Sequence, residues 1–408
     1  MNEHDKGTRG GQTGVGDILQ VFLDGKARTK GELVSLTGLA RSTVSMRVDA
    51  LLTCGLIVPA GDAVSTGGRP SARLAFNRAA GLVLAVDLGA SHAMIAVADL
   101  AGDILAASTH DIDVGLGPEV VLGRILAETD LLLQEAGAEA SRLFGVGIGV
   151  PGPVEHRSGR LYNPPIMPGW DQFDIPAFVR TKFDVPVLVD NDVNILALGE
   201  HATSFPDVLD LVYVKVATGI GAGIIAGGQL QRGAQGSAGD LGHVRVAEAT
   251  YGSGTTHAHC DLESVAGGVA IAEALATRGV DSHTSADVVR LVREGNALAA
   301  RAVRQAGRVV GEALSNIVSL LNPSVIVLGG SVSRSGEHLL AGVREVVYSQ
   351  SIPLATQHLQ IVQSRTGQRA AVIGAAIMVV QEVLSSSSVD ELVAAGVRLP
   401  VPSVSARV

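Results

Sequence analysis

Residues 82–109 read LVLAVDLGASHAMIAVADLAGDILAAST, and residues 211–233 read LVYVKVATGIGAGIIAGGQLQRG. Each is an apolar strand, a glycine loop, a second apolar strand and a glycine turn into a third. Short apolar runs punctuated by glycine are strand signals. One plan used twice predicts two related lobes facing each other across a cleft. Glycine loops of this kind let backbone N–H groups approach phosphates, and an acid such as Asp87 can sit near a bound metal. Asp87 and Gly89 in the first copy, and Thr218, Gly219 and Gly221 in the second, are the candidate phosphate-loop residues. Gly329 and Gly330, in VIVLGGS at 325–331, end another strand after an apolar helix over Gly311–Leu321, where the loop can pack against a nucleotide base. A single glycine hairpin reads as no more than a tight turn; the pairing carries the inference.

Composition narrows the rest. The chain has 408 residues, 47% apolar and 17% charged, which leaves room for two or three domains and excludes wholesale disorder. Its 50 glycines have no collagen-like period and lie mainly beside apolar runs, as in an α/β protein. Aromatic residues are 3%, too few to build stacking platforms for single-stranded nucleic acid. The opening MNEHDKGTRGGQ has no apolar core, and no apolar run approaches the ~20 residues of a membrane span, so a cytoplasmic protein with no membrane partner is expected. Cys54 and Cys260 are too few for a disulfide framework or a multi-cysteine zinc site.

Charge is distributed unevenly. Residues 1–78 hold 10 Lys/Arg against 7 Asp/Glu, and the remaining 330 hold 21 against 33, so only the N-terminal piece suits a polyanion. There VGDILQVFL at 15–23 places apolar residues on one helical face, a second helix fits Lys30–Thr37, and Gly38 supplies a turn. A third helix over Arg41–Cys54 buries Val44, Val48 and Leu51 and turns outward Ser42, Thr43, Ser45, Met46 and Arg47. That order is helix-turn-helix, with the third helix as major-groove reader. The following GLIVPAGDAVSTGGRPSARLAF fits two strands around a wing in which Gly68, Arg69 and Pro70, with Arg73 beyond, can reach phosphates or a minor groove. The DNA-binding set is therefore Arg41, Ser42, Thr43, Ser45, Arg47, Gly68, Arg69 and Pro70. Ala40 departs from the pattern, since Ser, Thr or Asp there would cap the reading helix. The plainer alternative is a trihelical protein-docking module.

From about Leu82 to Val380 the chain resembles the ROK family (repressors, open reading frames, sugar kinases) of the actin-like ATPase superfamily, and its N-terminal piece resembles the winged helix of the repressor branch. The strings that carry the resemblance are STGGRP at 65–70, VDLGAS at 86–91, GIGVPGPV at 147–154, NPPIMPGW at 163–170, VDNDVN at 189–194, GIGAG at 219–223, AGDLGH at 238–243 and NPSVIVLGG at 322–330. The resemblance implies Asp192 as the base of a sugar kinase and Asn191, Asp192, Asp240, His243 and Glu263 as sugar contacts. A fixed carboxylate can accept a hydroxyl proton, and carboxylates and imidazole suit a polyol. Read without it, DND at 190–192 is an Asx turn and His243 a histidine satisfied by backbone.

Departures from the family pattern shape the functional expectation. Ala90 and Ala217 replace glycines of the phosphate loops, where a methyl intrudes on a phosphate and restricts positive φ. The family's structural zinc motif is not preserved: Gly254, Thr256 and Asp261 fall at the cysteine positions, with His257, His259 and Cys260 as possible substitutes beside His243. No cofactor or metal is therefore expected, and ATP with magnesium only if kinase activity is retained.

The expected fold class is α/β: a two-lobed actin-like ATPase (ribonuclease H-like) sugar-kinase fold preceded by a winged helix-turn-helix. The expected organisation is 1–13 flexible, 14–78 DNA-binding domain, 79–383 kinase-like domain and 384–408 tail. The expected function is a sugar-responsive transcriptional regulator, with repression as the expected sense, whose partners are operator duplex DNA and a sugar or sugar phosphate, working as a homodimer or homotetramer. The alternatives are an active hexose kinase with a DNA-binding appendage and, last, an adaptor without a small ligand.

Overall fold

The computed structural model describes residues 14–62, 72–246 and 261–399. At the N-terminus α1 (Val15–Phe22), α2 (Lys30–Thr37) and α3 (Arg41–Cys54) pack around Ile18, Leu19, Phe22, Leu33, Val44, Val48 and Leu51. Thr29 caps α2 by accepting from Glu32 N–H, and Gly38 ends it in the left-handed conformation at φ 70°, which glycine adopts without the Cβ penalty. No side chain caps α3, as Ala40 foretells. β1 (Ile57–Asp62) and β2 (Ala72–Phe76) then pair antiparallel. The expected wing residues Gly68, Arg69 and Pro70 lie outside the described residues.

The first lobe begins with β3 (Leu82–Leu88), β4 (His92–Asp99) and β5 (Ile104–Asp111), followed by α4 (Pro118–Glu135), β6 (Leu143–Val150), the small hairpin β7 (Val154–Glu155) and β8 (Arg160–Leu161), α5 (Ile175–Arg180) and β9 (Val187–Asn191). Its sheet order is β5-β4-β3-β6-β9. After α6 (Asp192–Ser204), the second lobe runs β10 (Leu211–Val216), β11 (Ile220–Ala226), β12 (Gln229–Leu230), α7 (Leu262–Ala266), α8 (Gly268–Ala276), α9 (Ser285–Arg293), α10 (Ala297–Leu321), β13 (Val325–Gly329), α11 (His338–Gln350), α12 (Pro353–Thr356) and β14 (Gln360–Gln363). Its sheet order is β12-β11-β10-β13-β14. In both sheets the first strand of the lobe pairs antiparallel with the second and parallel with the fourth, the duplication that the glycine loops predict. The apolar helix expected over Gly311–Leu321 is the second half of the longer α10.

Each lobe's last strand leads into a helix that crosses toward the other lobe. α6 follows β9 but packs on β10 and β11, and α13 (Arg369–Val383) follows β14 but packs on β3 and β6. The two helices meet at Gly199 and Gly374: a methyl on Gly199 would collide with the Ala370 carbonyl oxygen, and one on Gly374 with that of Ile195. Only glycine allows backbones this close.

The stretch from Leu384, set apart by the sequence as a tail, is corrected by the structure. Ser385 caps α14 (Ser386–Ala394), which packs on α1; Asp390 accepts from Gly16 N–H at 2.8 Å, and Leu399 N–H donates to the Cys54 carbonyl at 2.9 Å. The serine run is a helix start, and the chain returns to the N-terminal helices. One apolar cluster consequently joins the helical head (Val44, Val48, Leu51) through Val389, Val383 and Val379 to Val193 and Ile195 on α6. No single described helix is long and apolar enough to cross a membrane; α13 and α14 together pass only as a pair bent by 56°, and their apolar residues are largely buried.

Candidate functional site

The cleft takes its charge from two equivalent positions. Asp87 stands one rung before the closing pair of the β3–β4 hairpin, opposite Met94 and beside Gly149 of β6. Lys215 stands one rung before the closing pair of β10–β11, opposite Gly221 and beside Gly329 of β13. Strand alternation puts Asp87 on the face of Val83 and Ala85, and Lys215 on that of Leu211 and Tyr213, and those apolar residues belong to the core between the lobes. The two charged groups therefore face inward from opposite lobes.

Between them sits Asp192, first residue of α6, whose carboxylate forms an ion pair and hydrogen bond with the Lys215 ammonium. The side chains of Lys215 and Asp192 are 26% and 6% exposed, so this pair is shielded from water. Burial pushes the Asp87 carboxyl up to about 7; Lys215 opposes that rise and Asp192 reinforces it. Burial works to lower the Lys215 value, but Asp192, by charge and hydrogen bond, and then Asp87 outweigh it and hold the ammonium above its ordinary value.

The other expected sugar contacts lie at the start of α6, in the 238–243 loop and on α7. Asn191 is the N-cap of α6: its Oδ1 accepts from Val193 N–H at 2.9 Å and its Nδ2 donates to the Gly152 carbonyl at 3.0 Å. The Asx geometry is thus present, and it leaves one N–H and one lone pair for a ligand. Asp190 receives Asn191 N–H, Asn194 Nδ2 and, from the second lobe, Arg232 Nε at 2.6 Å, an ion pair across the cleft. The 238–243 loop is hung on β11, with Ala222 N–H donating to the Gly239 carbonyl at 2.8 Å. Asp240 and His243 in that loop are exposed and joined at 2.7 Å, a hydrogen bond that raises the imidazole above its ordinary value. Glu263 accepts from Ile220 N–H at 2.9 Å, which places its carboxylate beside Gly219 and Gly242.

The candidate phosphate loops are closed on themselves at two places. Gly89 N–H donates to the His92 carbonyl at 2.8 Å, and Ala217 N–H to the Gly219 carbonyl at 2.9 Å. The expectation that Ala90 and Ala217 restrict a positive φ is corrected: neither they nor Gly89, Gly219 or Gly221 have positive φ, whereas Gly330 does, at 89°. Thr218 is exposed, and a methyl on Gly329 would strike the Tyr213 hydroxyl. A divalent cation entering with a nucleotide would have to compete for the Asp192 carboxylate with the Lys215 ammonium already paired to it, so the residues as they stand do not fit one. Among the described residues no group of three or more His, Cys, Asp or Glu could hold a metal. His257, His259 and Cys260 lie outside the described residues.

On the head, Arg41, Ser42 and Met46 are exposed, while Thr43, Ser45 and Arg47 are half-buried. Lys30 Nζ donates to Ser45 Oγ at 2.9 Å and pairs with Asp49 at 2.7 Å, pinning α2 to α3. Arg73 lies 3.5 Å from Glu32. Sequence reasoning missed Lys215, because a lysine in LVYVKV reads as a strand residue facing solvent; its alternation with Tyr213 was the available signal.

A model of the ROK family matches residues 83–382. A xylose repressor of Caldicellulosiruptor bescii is 29% identical over 381 residues, covering 90% of this chain and 95% of its own. A glucokinase of Halalkalibacterium halodurans is also 29% identical but covers 73% of this chain and 94% of its own. The solved structure of a ROK family transcriptional regulator, a homolog of the E. coli MLC protein, superposes with a TM-score of 0.77 at 25% identity, covering 94% of this chain and 98% of that one.

Proposed function

The chain belongs to the ROK family, and from that premise we propose that it is a sugar-responsive DNA-binding transcriptional regulator, with α3 reading duplex DNA and the kinase-like cleft holding the carbohydrate effector. The observation that carries this reading is the unbroken apolar core from α3 through α14 and α13 to α6. The helix whose first turn bears Asp192 is packed, through one intervening helix, against the element that supports the DNA-reading head.

Asn191, Asp192, Asp240, His243 and Glu263 are the hydroxyl-binding set. Lys215 anchors the Asp192 side chain by ion pair and hydrogen bond, holding its oxygens where sugar hydroxyls can donate to them. A sugar that prefers one lobe arrangement shifts the population of lobe states, and the α6–α13 crossing carries the shift toward α14. In a cytoplasmic dimer, a change in head spacing decides whether both reading helices meet successive major grooves. The polarity of the response, repression or activation, follows from which lobe state matches the operator.

The test has two arms. Duplexes selected from a random pool by the purified protein should bind with an affinity that falls steeply with salt, and Arg41→Ala and Arg47→Ala should each weaken it. Thermal shift with pentoses, hexoses, N-acetylhexosamines and their phosphates should find a stabilising ligand, and Asp192→Asn should blunt its effect on DNA binding. Undiminished duplex affinity in both arginine variants removes the reading surface. No shift with any sugar removes the effector site.

A further inference from the structure

We propose that the Lys215 ammonium is a built-in substitute for the divalent cation that a nucleotide would bring to this cleft, so that Asp87 and Asp192 are served by the chain itself and the site works without metal or ATP. The proposal concerns the cleft alone and does not depend on what the helical head binds.

Position is the first argument. Lys215 and Asp87 occupy the same rung of duplicated hairpins, each beside a glycine of the neighbouring parallel strand, Gly329 and Gly149. Both point into the space between the lobes, where α6 delivers Asp192. A cation at that point is needed on physical grounds, since two carboxylates shielded from water repel each other and are expensive to keep there uncompensated. Lysine suits the task because four methylenes carry a compact charge from the strand to the carboxylate and pack along the way. Its ammonium meets the Asp192 carboxylate directly, and Asp87, itself 7% exposed, is close enough to act on it electrostatically.

The surroundings give the second argument. A nucleotide needs backbone N–H groups turned toward its phosphates, whereas Gly89 and Ala217 spend theirs on the carbonyls of His92 and Gly219. A phosphate chain with its metal would find these two amides already engaged and would have to expel an ammonium already paired. A neutral carbohydrate need not displace that ammonium. It meets a carboxylate that Lys215 fixes in place, so Lys215 is a positioning residue and the determinant that favours a sugar alone over a sugar with Mg-ATP.

Replacing the lysine should therefore create what the wild type lacks. Mn²⁺ is titrated by electron paramagnetic resonance, alone and with a non-hydrolysable ATP analogue, into the full-length wild type, Lys215→Met, Lys215→Arg and the double variant Lys215→Met/Asp87→Asn. Lys215→Met should gain a Mn²⁺ site at least roughly tenfold tighter than any binding by the wild type. Lys215→Arg should not gain it, and adding Asp87→Asn should remove it. A merely structural lysine would not yield a gained site that depends on Asp87. Two results overturn the proposal: wild type binding Mn²⁺ with the analogue as tightly as Lys215→Met does, or Lys215→Met folding normally and gaining nothing. Should Lys215→Met fail to fold by circular dichroism, Lys215→Gln takes its place, and tight Mn²⁺–analogue binding by the wild type still refutes the idea unaided.

Discussion

The two lobes share a backbone plan and differ in the charge they bring to the cleft: the first offers the carboxyl of Asp87, the second the ammonium of Lys215, on matching rungs of matching hairpins. A second difference lies behind them. The crossing helix of the first lobe, α6, runs on into β10 of the other lobe, whereas that of the second lobe, α13, runs through Leu384 into α14 and the helical head. Duplication thus supplies the cleft, and the departures from symmetry supply its chemistry and its outlet. Opposite charges on facing rungs can be buried together, while like charges there would each carry an uncompensated desolvation cost.

The joint that makes the lobes comparable is the α6–α13 crossing, and breaking it should have the largest effect. Gly374→Leu forces a side chain onto the Ile195 carbonyl oxygen, a backbone atom that has no rotamer to move to. Overpacking typically costs about 1–3 kcal/mol and sometimes more, and this site belongs at or above the upper end. Gly123→Ala on α4 meets nothing within 4 Å and should be neutral or slightly stabilising, by up to about 1 kcal/mol. Urea unfolding of both variants checks this. Equal midpoints would mean that the crossing is not the tight joint it looks to be.

Much of this was legible in the sequence, for identifiable reasons. The second and third helices fall on the expected residues, Lys30–Thr37 and Arg41–Cys54, because local signals set them: apolar spacing and left-handed glycines at Gly38 and Gly55. The repeated lobes were legible because strand, glycine and strand follow one another in the chain. Lys215 was not, since the group that explains it, Asp192, is 23 residues away and meets it only in the folded cleft. The return of the C-terminus was hidden for a similar reason. LSSSSVDELVAAG stands apart as a tail until Ser385 is seen capping a helix and Val389 is seen buried against partners far away in sequence. For the candidate sugar contacts, the sequence names Asp240 and His243 but does not show that they are bonded to each other.

A pH experiment sharpens the charge comparison. Burial raises the Asp87 carboxyl from its ordinary 3.8 to about 7, so between those values the folded protein holds a proton that the unfolded chain has released. Stability from this group is greatest at or below pH ~4 and declines as pH rises toward ~7, because the native state binds more protons over that interval. At about 1.4 kcal/mol per pH unit the decline is at most about 4 kcal/mol. Asp87→Asn, unable to ionise, should lack this decline and gain on the wild type at pH 8, read by urea midpoints from pH 5 to 8. An unaltered pH profile in the variant would show that burial does not hold a proton on Asp87.

The smallest effect tests the outlet, the feature of α13 that α6 does not share. Asp390 of α14 accepts from the backbone N–H of Gly16 in the first turn of α1, so a side chain from beyond the kinase-like body caps a helix of the head. A cap of this kind is worth about 1 kcal/mol, and a carboxylate near a helix N-terminus adds a few tenths from the dipole. Asp390→Ala should therefore loosen the head by about 1 kcal/mol, seen as faster amide exchange in α1 against unaltered exchange in β3 and β10. Because Asp390 touches nothing in the cleft, the sugar that stabilises the wild type should stabilise the variant to the same extent, while its effect on DNA binding shrinks. That split is the informative result: effector affinity kept, effector response reduced. A variant that keeps both would mean that the contact between α14 and α1 holds the head in place without carrying any message from the lobes.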